Sequence, residues 1–145
     1  MKIPRMTVIT LGVSDLSHST DFYREIFSTP PVTQYEGVTF FPLPGAWLSL
    51  YPLDKLAEDI GEEVKLSAPG SFRGFTLAYN ARSKEEIASI FAHAASAGVH
   101  IAKAPQDTFW GGHSGYFRDP DGHYWEVAWG PMFDFDEHGD LRFKP

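Results

Sequence analysis

Two side chains near the end of the chain have the chemistry needed for proton transfer. Glu126 lies in an alternating segment, so that Tyr124, Glu126 and Ala128 share one face of a predicted strand. His113 lies in a glycine-rich stretch, where the backbone can approach a ligand closely. Glutamate and histidine are frequent general bases and acids. We predict catalytic roles for Glu126 and His113, with a plain hairpin as the equal alternative for the His113 segment.

Glu126 has two further interpretations. Its carboxylate could accept a hydrogen bond from a ligand or coordinate a metal ion. Alternatively, it could pair with a structural cation such as Arg118 or Arg73. The other histidines fit less well, because they lie on predicted helices, at a strand start, in the tail or, for His123, in a turn that we expect to be exposed. The chain has no cysteine, which excludes thiolate ligands, Cys nucleophiles and disulfides.

Aromatic residues make up 15% of the chain and could line a small-molecule pocket. Strand alternation collects a set of hydroxyl and aromatic side chains on the same faces as Glu126 or beside them. The predicted ligand-binding residues are Thr10, Trp47, Ser49, Tyr51, Thr76, Trp110 and Tyr124. The same residues could instead fill a core or a dimer interface.

The elements that must position these residues repeat along the chain. The first half predicts a strand at 6–13, a helix from the Ser14-Asp15-Leu16-Ser17 signal to about Phe27, strands at 32–35, 37–42 and 46–51, and a short helix at 53–60. The second half predicts a strand at 74–79, a helix that begins with the capping box Ser83-Lys84-Glu85-Glu86 and stops at Gly98, and strands at 100–102, 108–110, 115–118 and 125–129.

The two halves therefore share one β-α-β-β-β order, which predicts an α+β fold built from two βαβββ modules in tandem. Curved mixed sheets with the helices outside would enclose a cleft. We place the first module at about 6–53, a linker at 54–72, the second module at about 73–130 and a C-terminal tail at 131–145. The tail either is mobile or packs on a partner.

Two motifs resemble a known superfamily. The opening Val13-Ser14-Asp15-Leu16 with Phe22-Tyr23, and the closing segment from Gly115 through Asp119-Pro120-Asp121-Gly122 to Val127, are similar to the vicinal oxygen chelate superfamily. That group includes glyoxalase I, extradiol dioxygenases and bleomycin-resistance proteins. The resemblance implies paired βαβββ modules, a dimer, and a divalent metal that holds two neighbouring oxygens of the substrate.

The resemblance also implies four metal-ligand positions, and this chain retains a good ligand at one. Glu126 matches on the last strand, whereas Val8, Ser49 and Gly74 occupy the other three positions. Three protein ligands are the usual minimum for a catalytic zinc site. We therefore expect no intact metal site, although a divalent metal stays possible as a cofactor.

The net charge of −7 and the scattered basic residues argue against nucleic-acid binding, and no apolar run is long enough to span a membrane. We expect a cytoplasmic homodimer that binds a small organic molecule in an aromatic-lined cleft. Three functions stay open: a metal-independent enzyme that uses Glu126, a ligand-sequestering protein of the bleomycin-resistance type, and a metal-dependent lyase or dioxygenase.

Overall fold

The computed structural model describes all residues from Met1 to Pro145 and contains three helices and nine strands. The strands are β1 (Val8–Val13), β2 (Thr39–Phe41), β3 (Trp47–Pro52), β4 (Thr76–Asn80), β5 (His100–Asp107), β6 (His113–Arg118), β7 (Tyr124–Trp129), β8 (Phe133–Phe135) and β9 (Leu141–Phe143). The helices are α1 (Leu16–Ile26), α2 (Leu53–Ile60) and α3 (Lys84–Ser96). None of the helices is both long enough and apolar enough to cross a membrane.

The chain forms two compact units, Met1–Ser71 and Phe72–Pro145. In the first unit the strand order is β1-β3-β2, with β1 and β3 parallel and β2 and β3 antiparallel. Helix α1 begins where the Asp15 side chain accepts a hydrogen bond from the His18 N–H, an N-cap that satisfies a free helix donor. It packs on one face of the sheet through the fully buried Tyr23 and Phe41 rings.

The second unit repeats this plan with the strand order β4-β7-β6-β5, in which β4 pairs parallel with β7. Helix α3 covers one face, where Phe91 lies 6.3 Å from the Phe117 ring. Ile87, Phe91, Trp125 and Val127 form the buried apolar layer. The predicted α+β fold with tandem βαβββ modules is confirmed.

Both predicted helix signals of the second unit are present. The Ser83 hydroxyl caps α3 by accepting from the Glu86 N–H, and Gly98 follows the helix with φ +77°, a conformation that favours glycine. The Glu86 carboxylate, however, turns to the Arg82 N–H and the Tyr79 hydroxyl. Burial and the hydrogen bond to Glu86 raise the pKa of Tyr79 to about 12.

Three of the predicted strands, at 32–35, 100–102 and 108–110, differ most from the structure. The segment 32–35 contributes a single bridge between Val32 and Phe40, and β5 runs on to Asp107 with two register shifts. Residues 108–110 form a turn instead of a strand, because Thr108 bonds back to Gly112 through both its N–H and its hydroxyl. The glycines that follow favour this reversal, since Gly111 has φ +88°.

Part of the C-terminal tail forms a β-hairpin, an element that the sequence pattern did not predict. Strands β8 and β9 pair antiparallel, and Phe133 stacks on Phe143 with ring centroids 5.7 Å apart. The turn between them is closed by Asp136, whose carboxylate accepts from the N–H groups of His138 and Asp140. These backbone hydrogen bonds, that of Asp140 above all, hold the pKa of Asp136 below its usual range.

Candidate functional site

The second sheet has one face that α3 does not cover, which we call the open face of the second sheet. The registers of β4, β7, β6 and β5 place its side chains in rows across the strands. One row consists of Thr76, Tyr124, Arg118 and His100, and the next consists of Ala78, Glu126, Tyr116 and Lys103. Glu126, Tyr116 and Tyr124 are half-buried, and the other members of both rows are exposed.

At the centre of this face, Glu126 is held by a phenol. The Tyr116 hydroxyl donates a 2.8 Å hydrogen bond to Oε2 of Glu126. This bond, followed by burial and the charge of Glu126, raises the pKa of Tyr116, because a phenolate could not donate to a carboxylate. The neutral Tyr116 therefore fixes one oxygen of Glu126 and leaves Oε1 for a donor on a ligand.

Aromatic and cationic side chains flank this pair. Tyr124 lies next to Glu126 along the same face, and the exposed Phe72 ring meets it edge-on at 6.1 Å. Arg118 on β6 and Lys103 on the edge strand β5 are both exposed. The face thus combines a hydrogen-bond acceptor, an aromatic wall and cations at one side.

One end of the open face is closed. The next row contains Ala128 and Ser114, which are only 3% and 6% exposed although α3 packs on the opposite face of the sheet. Gly112 and Gly130 lie beyond this row. The Trp110 ring lies against the position that a Cβ would take at either glycine, and the distance from that position to the ring is 2.7 Å at Gly130. Sequence alternation could not find this role for Trp110, because Trp110 belongs to a turn.

The first sheet also has an open face, opposite α1. The register of β1 and β3 places Val8 beside Trp47 and Thr10 beside Ser49, and the four residues share one face, as the alternation predicts. The Thr10 and Ser49 hydroxyls lie 2.5 Å apart and share a hydrogen bond. Trp47 is 44% exposed and contacts Phe40 edge-on at 6.0 Å. Leu53 of α2 covers Gly12 at the end of this face, and Tyr51 is half-buried beside it.

The structure does not bring His113 to Glu126. In β6, His113 pairs with Trp129, so both residues point to the face that carries α3. The His113 Nδ1 lies 2.9 Å from the Asp107 carboxylate, which also accepts from Lys84 at 3.0 Å. The hydrogen bond from His113, followed by that from Lys84, lowers the pKa of Asp107. A role for His113 in proton transfer at Glu126 stays a prediction without geometric support.

His123 is buried, contrary to the expectation of an exposed turn residue. Its Nδ1 lies 2.8 Å from Asp119, whose side chain is fully buried, and its Nε2 lies 3.0 Å from an Arg73 nitrogen. A guanidinium has no acceptor, so Nε2 must accept and the ring proton must sit on Nδ1. Arg73, one of the cations proposed as a partner for Glu126, therefore bonds to His123 instead. The hydrogen-bonded side chains Arg73, His123 and Asp119 together brace the turn after β6.

The side chains do not fit the divalent metal that the resemblance implies. Glu126 is the only acidic side chain in the rows described, and its nearest polar partner is a phenol. The positions of Val8 and Gly74 offer no side-chain donor, and the Ser49 hydroxyl bonds to Thr10. No group of three or more His, Cys, Asp or Glu residues is arranged to hold a metal ion.

Comparison with known proteins identifies a matching family model and several similar proteins. Residues 5–127 match the model of the Glyoxalase/Bleomycin resistance protein/Dioxygenase superfamily. A glyoxalase-related enzyme from Fulvimarina pelagi has 34% identity and a TM-score of 0.83, with 99% of this chain and 100% of that chain covered. The fosfomycin resistance protein FosX from Listeria monocytogenes has 25% identity and a TM-score of 0.69, with 90% and 97% covered. The metallothiol transferase FosB from Shouchella clausii is 29% identical over 128 residues, covering 86% of this chain and 79% of that protein.

Proposed function

Since the chain belongs to the Glyoxalase/Bleomycin resistance protein/Dioxygenase superfamily, we propose that it binds a small aromatic molecule with a hydroxyl donor, without a metal held by its own side chains. The observation that carries the proposal is the Tyr116 to Glu126 hydrogen bond on the open face of the second sheet. A phenol is the simplest ligand of this class, because its O–H can donate to Oε1 of Glu126 while its ring packs against Tyr124 and Phe72.

The chemistry available at this site is proton transfer and binding. With Tyr116 donating to one oxygen of Glu126, the other oxygen can accept the proton of an acidic ligand group. If the protein is an enzyme, Glu126 is its general base, and the reaction is of the lyase or isomerase kind that needs no redox partner. If it is a sequestering protein, the same contacts give affinity without product.

The test is equilibrium binding of 4-methylphenol and of its methyl ether, 4-methylanisole, followed by NMR titration of the protein amides. We expect 4-methylphenol to bind roughly tenfold more tightly, because only it can donate to the carboxylate. Glu126→Gln should remove most of this preference. Glu137→Gln, at an exposed position in the C-terminal hairpin, is the matched control and should leave it unchanged. Equal binding of the two probes by the unaltered protein would contradict the proposal.

We also propose that the open face of the first sheet binds a ligand, as a surface considered by itself. Trp47 offers an exposed ring, Thr10 and Ser49 offer hydroxyls, and Tyr51 adds a half-buried phenol. We also propose a homodimer, as is common in this superfamily. Light scattering coupled to size exclusion measures its mass directly, and a monomer at micromolar concentration would exclude it.

A second candidate is resistance to a phosphonate antibiotic, favoured by the fosfomycin resistance protein and the metallothiol transferases among the relatives. The exposed Arg118 and Lys103 could attract such an anion. Binding of fosfomycin that is lost in Arg118→Gln and Lys103→Gln, but retained in Glu126→Gln, would favour this candidate. Element analysis of protein purified without chelator is decisive for the metal, because near-stoichiometric metal would contradict a metal-free site.

A further inference from the structure

The guanidinium of Arg118 has no partner within the protein. The chain contains six arginines, and the other five each contact a carboxylate, a carbonyl oxygen, a histidine nitrogen or an aromatic ring. Those five are Arg5, Arg24, Arg73, Arg82 and Arg142. Arg118 makes none of these contacts and is exposed. Its N–H donors are therefore available to an anion from solution.

A second cation on the same face is also unpaired. In the register of β5 and β6, His100 lies opposite Arg118, and Lys103 lies opposite Tyr116 in the next row. Lys103 is exposed and forms no ion pair, whereas Lys84 is held by Asp107 at 3.0 Å. We call Arg118 and Lys103 the cationic patch. It is a local excess of positive charge in a chain whose net charge is −7.

The cationic patch lies beside the ring wall of the proposed ligand site. Arg118 is directly opposite Tyr124 in the antiparallel register, and the Cβ atoms of such pairs are about 5 Å apart. Glu126 is the diagonal neighbour of Arg118, at roughly 7–8 Å. The two do not form an ion pair, and Glu126 accepts from Tyr116 instead. An acceptor and a cation thus flank an interval about as long as one aromatic ring, with Tyr124 next to both.

We infer that the ligand carries a carboxylate as well as a hydroxyl donor, and that Arg118 binds the carboxylate. The ring and the hydroxyl rest on the proposed function, whereas the carboxylate rests on the unpaired Arg118. A guanidinium presents its donors as a planar fork that matches the two oxygens of a carboxylate. Lys103 adds a second positive charge, which favours the approach of an anion to an acidic protein. The ligand class is a hydroxyaryl acid, with its hydroxyl at Glu126 and its carboxylate at Arg118.

The experiment compares 4-hydroxybenzoate with 4-hydroxybenzamide, a neutral probe of nearly the same shape, by NMR titration of the protein amides at pH 7. The unaltered protein should bind 4-hydroxybenzoate roughly tenfold more tightly. Arg118→Gln should remove most of this preference, and Lys103→Gln should reduce it by a smaller factor. Arg24→Gln is the matched control, because it removes the same charge from an exposed arginine on α1 and should leave the preference unchanged.

The outcomes separate this inference from the proposed function. If Glu126→Gln weakens 4-methylphenol, but the unaltered protein binds the two new probes equally or Arg118→Gln keeps the preference, the carboxylate site is wrong and the proposed function stands. If 4-methylphenol and 4-methylanisole bind equally, the proposed function fails. The hydroxyaryl acid then fails with it, and a preference for 4-hydroxybenzoate that depends on Arg118 would show a plain anion site. Arg118→Lys should keep part of the preference, since it retains the charge without the planar fork.

Discussion

The hydroxyl of Tyr116 donates a 2.8 Å hydrogen bond to the Glu126 carboxylate on neighbouring strands of the second sheet. The two residues are directly opposite each other in the antiparallel register of β6 and β7, so their spacing is set by the sheet itself. A carboxylate placed on a strand and tied to a cross-strand phenol has little freedom to move. This rigidity is what a binding or catalytic group requires.

Tyr116→Phe should weaken the binding of 4-methylphenol several-fold, because Glu126 loses the donor that orients it. The free energy of unfolding should fall by about 1 kcal/mol or less, since the pair is partly exposed to water. NMR titration gives the affinity and urea denaturation gives the stability. Tyr35→Phe removes the hydroxyl of an exposed tyrosine in the first unit, and an equal loss of affinity there would refute the positioning role.

Asp119→Ala should cost about 3 kcal/mol of stability, because it leaves buried donors without an acceptor. Oδ1 accepts from the N–H groups of Asp121 and His123, and Oδ2 accepts from the His123 ring. Asp136→Ala is the control, because Asp136 also accepts two backbone N–H groups, but in an exposed turn. Guanidinium denaturation of both variants should show a far larger loss for Asp119, and similar losses would mean that burial of this carboxylate is unimportant.

Gly112→Ala should destabilise the protein by about 1–3 kcal/mol, because the added methyl group would overlap the Trp110 ring. Part of the loss should be recovered when Trp110 is first replaced by Leu, which removes the overlap with the ring but leaves the Trp129 carbonyl oxygen 2.5 Å from the added carbon. A double-mutant cycle measured by thermal or urea unfolding gives the coupling between the two positions. Additive effects would show that Trp110 does not rest on Gly112.

The Tyr79 to Glu86 pair predicts a defined pH response. The folded pKa of Tyr79 is raised from 10.0 to about 12, so its contribution to stability is fully present below about pH 10 and is lost as the pH rises toward 12. Absorbance at the phenolate band should show this tyrosine still protonated at pH 11. Glu86→Gln should lower its pKa, because the negative charge is removed and the amide oxygen that remains is a weaker acceptor, whereas Glu85→Gln should not.

Short-range signals in the sequence determined where the helices lie and where they begin or end. The Asp15 cap, the Ser83 cap, the glycine stop at Gly98 and the helix Leu53–Ile60 are all visible within a few neighbouring residues, and each one is present. Alternation along the strands also assigned Thr10 and Ser49, and Thr76 and Tyr124, to faces that they share in the structure, because the period of two is a property of the backbone. The sequence alone also identified the repeated β-α-β-β-β order and the isolated carboxylate Glu126.

Only the tertiary structure decided what these residues contact. The partner of Glu126 is Tyr116, not Arg118 or Arg73, because strand register selects neighbours ten residues apart in the chain. His113 faces away from Glu126, since β6 begins two residues earlier than the pattern indicates. His123 is buried by Asp119 and Arg73, and Trp110 is seated on two glycines that are distant from each other in sequence. Such contacts depend on packing between remote segments, which no local pattern of residues encodes.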